Sequence, residues 1–181
     1  MRALRWSLIR EMGRAKEWKT VPWLVLLSAS LVIFSYQFHW MFLRALTLRL
    51  NLGMDALFGV HWHRVSQDMV EWNGQIFQYP NACTFVDVWF GALPLLWGVH
   101  AGLRKNLRNL AAFSGLLLGF NVTRLSVSDI LFAHGLTWWL AHDILSAVAY
   151  FLVWCWILRW RAKITETGPQ KLSFSSRSAS V

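Results

Sequence analysis

Cys83, Arg124 and His142 are the residues whose types and positions could do chemistry together. Cys83 stands where the polar stretch 65–81 gives way to the apolar run 85–99. Arg124 lies at the end of the apolar run 110–125, and His142 just before the run 144–160. If these runs cross a membrane, a thiol, a guanidinium and an imidazole share one face. A nucleophile, a cation and a base at one level are the minimum equipment for thiol acyl chemistry. At the head of a helix, free amide N–H groups and the dipole favour a thiolate, so Cys83 is expected to have a lowered pKa. A buried structural thiol is the other role open to a lone cysteine.

Arg124 is the sole Lys or Arg between residues 109 and 158, with Asn121 three positions earlier on the same helix face. An ionisable group inside a membrane is a functional candidate, although a cation at a helix end also snorkels to the interface. His142 follows the aromatic pair Trp138-Trp139, with His134 in the preceding connection as its competitor. Asp87, one turn beyond Cys83, shares its face and is expected within reach of Arg124 or His142. Asp143 is adjacent to His142, and helix neighbours point in different directions, so it is expected to cap the helix rather than orient the imidazole. His61 and His63 would share one strand face, but no carboxylate or cysteine completes a metal set. Neither a metal nor a cofactor is expected. Cys155 lies deep in the last apolar run, at the opposite level from Cys83, so no disulfide is expected.

The elements that position these residues read as membrane helices. Of 181 residues 56% are hydrophobic, 13 are Trp and only 15% are charged, which is a membrane composition with room for one small bundle. Spans are expected at 21–38, 85–101, 110–125 and 143–160. The first begins with Thr20 as N-cap and Pro22 in the first turn. It is longer than a signal-peptide core and no A-x-A site follows, so it reads as uncleaved. Pro94 is expected to kink the second. In the segment 39–82, Arg44, Thr47, Asn51 and Asp55 recur at intervals of 3, 4 and 4, the stripe of an amphipathic helix lying on the membrane surface. Asn73-Gly74 signals a type I′ hairpin, closed by Pro80. Residues 126–141 read as an interfacial or re-entrant element, and 164–181 as a disordered cytoplasmic tail. The expected fold is an all-α polytopic membrane bundle of about four transmembrane helices, with a small extracytoplasmic amphipathic helix and β-hairpin, residues 1–163 forming one domain.

Charge orients the bundle. Six Lys or Arg precede residue 20, three lie at 104–108, and five follow residue 158, whereas 39–82 balances three Arg against Asp55, Asp68 and Glu71. The positive-inside rule then places both termini in the cytoplasm and the Cys83 face outside. The net charge of +9 comes from residues beside apolar runs, a membrane pattern rather than a nucleic-acid surface.

In the stretches Asn81-Ala82-Cys83, Asn121-Val122-Thr123-Arg124-Leu125 and Leu140-Ala141-His142-Asp143, the order Cys, Asn-x-x-Arg, His falls at the outer ends of three consecutive spans. Over about residues 55–158, hairpin included, the chain resembles the exosortase/archaeosortase family. Many members read E-A-C-S-G where this chain has Asn81-Ala82-Cys83-Thr84-Phe85. The resemblance implies a multi-pass enzyme of a bacterial or archaeal cytoplasmic membrane. Its substrates would be exported proteins bearing a C-terminal motif, a transmembrane helix and a basic tail. It also implies Cys83 as nucleophile, His142 as base and Arg124 as stabilising cation. From their own positions beside these three, Asn121, Asp87 and Asp143 are expected to be supporting residues. A non-catalytic membrane scaffold for export or surface-polysaccharide assembly is the reading from another class, and a thiol redox protein lacks a resolving cysteine.

Overall fold

Helix α1 (Pro22–Ser35) opens the computed structural model, which describes residues 22–98 and 101–166. Residues 1–21, with the basic N-terminus and Thr20, and 167–181, most of the expected tail, lie outside the described residues. Pro22 is the first residue of this helix that the structure describes. Trp40, in the left-handed region at φ 44°, turns the chain into α2 (Met41–Leu57) and donates from Nε1 to the Ser35 carbonyl at 2.6 Å.

The polar stripe of α2 faces inward, which overturns its expected place against headgroups. Arg44, Thr47, Asn51 and Asp55 are buried on the side of α2 that meets α4, the Cys83 turn and the residues flanking the sheet, while Phe42 and Leu57 are 77% and 80% exposed. The periodicity marks a stripe without saying which side has partners. Here the partners are inside: Arg44 pairs with Asp68, and Asn51 with Tyr79 and Asp129.

The hairpin forms as expected, within a sheet of three antiparallel strands. Strands β1 (His63–Arg64), β2 (Met69–Trp72) and β3 (Gln75–Gln78) lie in the order β1-β2-β3, with Trp72 paired to Gln75 across the turn. Asn73 and Gly74 both take positive φ, 50° and 79°, as a type I′ turn requires.

A 3₁₀ turn (Asn81–Thr84) carries Cys83 and leads into α3 (Val86–Leu96). The helix stops two residues after Pro94, shorter than the expected span, and the kink becomes an end. Proline removes one ladder donor and crowds the preceding turn. Arg161 then donates to the Leu95 carbonyl at 2.9 Å, and buried Asn106 brackets the Gly98 amide and carbonyl at 3.1 and 3.0 Å.

Helix α4 (Leu103–Ala133) is longer than expected, 31 residues and roughly 46 Å. It absorbs the basic residues 104–108 at its start and half of the expected re-entrant element at its end. It closes on a Schellman motif: Gly135 at φ 94° donates to Phe132 O at 2.9 Å, and Leu136 to Leu131 O at 3.1 Å. A π turn (Trp139–Ile144) then opens α5 (Leu145–Glu166), so residues 164–166 of the expected tail are helical.

Two helices, Leu103–Ala133 and Trp139–Ala162, are long and apolar enough to cross a membrane; α1 and α3 are shorter apolar helices. Helices α3, α4 and α5 share one core around Phe85, Ala92, Phe113, Val153 and Ile157. A second core of Leu48, Val70, Tyr79, Cys83 and Leu125 joins α2 and the sheet to α4 directly behind the thiol.

Candidate active site

The structure brings Cys83, Arg124 and His142 together, each held by a different element. Cys83 is only 5% exposed, its N–H bound to Pro80 O at 3.0 Å. Its carbonyl accepts from Asn121 Nδ2 at 2.6 Å, fixing the turn against α4. Its Sγ lies 3.9 Å from His142 Nε2. Phe85, two residues on, adopts the left-handed conformation at φ 53°, an unusual position for a bulky residue that costs on the order of 1–2 kcal/mol. Full burial beneath Arg124 and an edge contact with Tyr150 at 4.7 Å hold it there.

That geometry corrects the expectation for the thiol. Cys83 does not sit on the free amides of a helix start, because α3 begins three residues later. Burial pushes its pKa up to about 11, with the Arg124 charge pulling the other way. The resting group is therefore a thiol.

His142 is the imidazole beside that thiol. Its ring stacks on Trp138, centroids 4.6 Å apart and planes 9° from parallel. Its Nδ1 meets Asp143 Oδ1 at 3.1 Å, contrary to the expectation that Asp143 would only cap the helix. In the π turn successive side chains are separated by a smaller angle than in an α-helix, so adjacent residues meet. With Nδ1–H donated to the carboxylate, Nε2 presents its lone pair to the thiol. His134 instead closes α4, its Nδ1 2.8 Å from Ile130 O.

Arg124 does not close its helix, which runs on for two more turns. It is 5% exposed, donating from Nη2 to Asn121 Oδ1 at 3.2 Å and from Nη1 to Ser146 Oγ. Ser146 in turn donates to the His142 carbonyl at 2.5 Å. The guanidinium carbon lies 5.2 Å from the Phe85 ring centre, and the buried Nε has no hydrogen-bond partner among the described residues.

Asp87 reaches neither Arg124 nor His142. It accepts from Tyr36 and Tyr150 hydroxyls, each at 3.0 Å, and the Tyr150 hydroxyl also bonds Ala82 O at 3.2 Å. Asp87 thus braces the thiol turn through Tyr150. The partners lie 51 and 63 residues away, beyond the reach of local spacing.

A buried set behind Cys83 was not foreseen: Asn51, Asp55, Tyr79, Ser126 and Asp129. The stripe on α2 and Asp129, in the mixed segment after the apolar run 110–125, are its signals in the sequence. Burial, then the charge of Asp129, pushes Asp55 up to about 8.

No known family model, curated protein or solved structure matches this chain.

Proposed function

We propose that this protein is a membrane-embedded cysteine endopeptidase or transpeptidase of exosortase type. It cleaves the C-terminal sorting signal of exported proteins at the extracytoplasmic face. The observation that carries this reading is the line Cys83 Sγ, His142 Nε2, His142 Nδ1, Asp143 Oδ1, with contacts of 3.9 and 3.1 Å. Four spans with cytoplasmic termini are supported by the Lys/Arg asymmetry. The exposed apolar faces and the inward polar stripe of α2 suit a lipid surround.

His142 Nε2 takes the thiol proton as Cys83 Sγ bonds the substrate carbonyl carbon. The carbonyl oxygen becomes an oxyanion, for which the unpartnered Arg124 Nε–H and the guanidinium charge are the nearby stabilisers. His142 returns the proton to the leaving nitrogen, the C–N bond breaks, and a thioester remains on Cys83. Water, or an amine or hydroxyl acceptor, then attacks that thioester. The neutral resting thiol favours general-base transfer over a standing thiolate–imidazolium pair.

The burial of Cys83 favours a second reading, a non-catalytic scaffold for export or surface-polysaccharide assembly. Co-expression with an exported protein carrying a motif, helix and basic tail separates the two. The enzyme reading expects Cys83→Ser to abolish processing and Cys155→Ser to leave it intact. Processing that survives Cys83→Ser leaves the scaffold.

A further inference from the structure

Sheet register decides which main-chain groups of β3 face away from β2. In an antiparallel ladder, hydrogen-bonded pairs alternate with non-bonded ones. The Tyr79 N–H donates to Asp68 O at 2.8 Å, and the two-residue turn closes on Trp72 and Gln75, so the bonded pairs are 68–79, 70–77 and 72–75. Ile76 and Gln78 fall between them, and each turns its N–H and C=O outward. Met69, opposite Gln78, bonds on its other side as this register requires, accepting from Val65 N–H at 3.0 Å. Among the described residues none of these four outward groups has a partner, and no element but β2 lays its backbone against β3.

A strand edge of this kind is a template for another strand, and proteins blunt it with short length, charge or proline. Strand β1, at the opposite edge, is blunted: it has two residues, one of them Arg64, whose Nε donates to Ser66 O at 2.7 Å. Strand β3 carries Gln75, Ile76, Phe77 and Gln78, with neither charge nor proline, and Ile76 is 63% exposed. Donors and acceptors repeating every two residues along a straight edge match the main chain of an extended peptide. Helices and lipid headgroups do not present that pattern.

Strand β3 leads straight into the thiol site. Tyr79 packs in the same core as Cys83, and Pro80 O accepts the Cys83 N–H at 3.0 Å. The Phe77 ring lies 4.6 Å from that of Trp138, which in turn stacks on His142 at 4.6 Å. Two bonding residues make a short pairing. That suits a segment already held in the membrane by its own helix, whereas a stable dimer needs a larger interface.

We propose that the free edge of β3 takes, as a fourth strand, the extended segment of the exported protein that precedes its transmembrane helix. Ile76 and Gln78 hold that segment by its main chain, beside the turn that carries Cys83. The proposal rests on the enzyme reading and adds where the substrate lies and in what conformation: extended, with its carbonyls open to attack.

Hydrogen exchange in detergent-solubilised full-length Cys83→Ser protein tests this, alone and with an uncut exported protein bearing a motif, helix and basic tail that the wild type processes. The Ile76 and Gln78 amides are expected to exchange freely alone and about tenfold or more slowly with the exported protein, while the Phe77 amide, bonded to β2, is slow in both. Unchanged exchange at Ile76 and Gln78 overturns the proposal. So does protection that appears without the exported protein and grows with protein concentration, which marks a second copy on the edge. Ile76→Pro removes one outward N–H and leaves the bonds to β2 in place, and an ester in place of the Ile76 amide does the same with the side chain kept. In otherwise wild-type protein each is expected to raise KM about fivefold or more with kcat little changed. An unchanged KM in the folded ester form overturns the proposal. Processing that survives Cys83→Ser overturns the enzyme reading instead, whatever the exchange shows.

Discussion

Asn121 donates from Nδ2 to the Cys83 carbonyl at 2.6 Å, so one side chain of α4 fixes the turn that carries the thiol. The same amide accepts from Arg124 through its oxygen. Thiol turn and cation are thus set by one residue, which makes the geometry of the pair a property of α4. Asn121→Ala is expected to cut processing by about tenfold or more, through lost positioning of both groups. Asn121→Asp, which cannot donate to a carbonyl, should not restore it.

Arg124 grips Ser146 and Asn121 with separate nitrogens, which a point charge cannot do. Arg124→Ala is expected to reduce processing about a hundredfold or more, and Arg124→Lys to recover little of it. Recovery to near wild-type rates by lysine would show that charge alone suffices.

The Cys83 thiol has its pKa raised by burial, so its thiolate fraction should keep rising with pH beyond the ordinary value of about 9, toward about 11. Alkylation rate against pH is the measurement, and a plateau near neutrality would contradict the burial effect. His142→Ala should leave alkylation at high pH largely intact while removing processing at neutral pH, because the base is needed only where the thiol is protonated. Asp143→Asn should cost less, about tenfold, since that carboxylate side chain is 55% exposed and water replaces much of its effect.

Asp55 has a raised pKa, about 8 against an ordinary 3.8. The folded chain holds a proton there that the unfolded chain releases, so its contribution to stability is fullest below the ordinary value. That contribution is lost as pH rises toward about 8. Asp55→Asn keeps the shape and removes this loss. It should raise stability at neutral pH by on the order of 1 kcal/mol, with the gain shrinking as pH falls to 4. Thermal unfolding of the solubilised protein across that range checks it, and a gain that grows toward low pH would refute the assignment.

Gly91 is where α1, α3 and α5 converge. A Cβ there would lie 2.8 Å from Val32 Cγ2 and 2.9 Å from Trp154 Cη2. Gly91→Ala should destabilise the bundle by roughly 1–3 kcal/mol, with Gly91→Val worse. Gly119→Ala, with nothing within 4 Å of the added carbon, is the control and should be neutral or better.

What the sequence made legible follows from what local patterns encode. Cys83, Arg124 and His142 each flank an apolar run, so hydropathy alone put them at one level. Asn73-Gly74 announced its turn because few residue pairs accept two positive φ angles. The stripe of α2 turns inward rather than toward headgroups, which stays hidden because period shows a stripe and not its partner. Asp143 meets His142 rather than only capping the helix, which stays hidden because a π turn leaves no local signature. Level along the membrane matches Asp87 with Arg124 and His142, whereas its tyrosine partners lie on α5 and just beyond α1. The length of α4 is hidden by its mixed segment 126–133, whose polar residues Ser126, Ser128 and Asp129 are buried, Ser126 and Asp129 against Asn51 of α2 and Asp129 also against Tyr79.

The most direct test of the central claim is mass spectrometry of Cys83 after co-expression with an exported protein bearing a C-terminal motif, helix and basic tail. The expected result is a substrate fragment joined to Cys83 through a hydroxylamine-sensitive thioester. It should be present in the wild-type protein, absent from Cys83→Ser and strongly reduced in His142→Ala. A substrate that is cleaved while Cys83 carries no acyl group, or is cleaved equally well by Cys83→Ser, would contradict it.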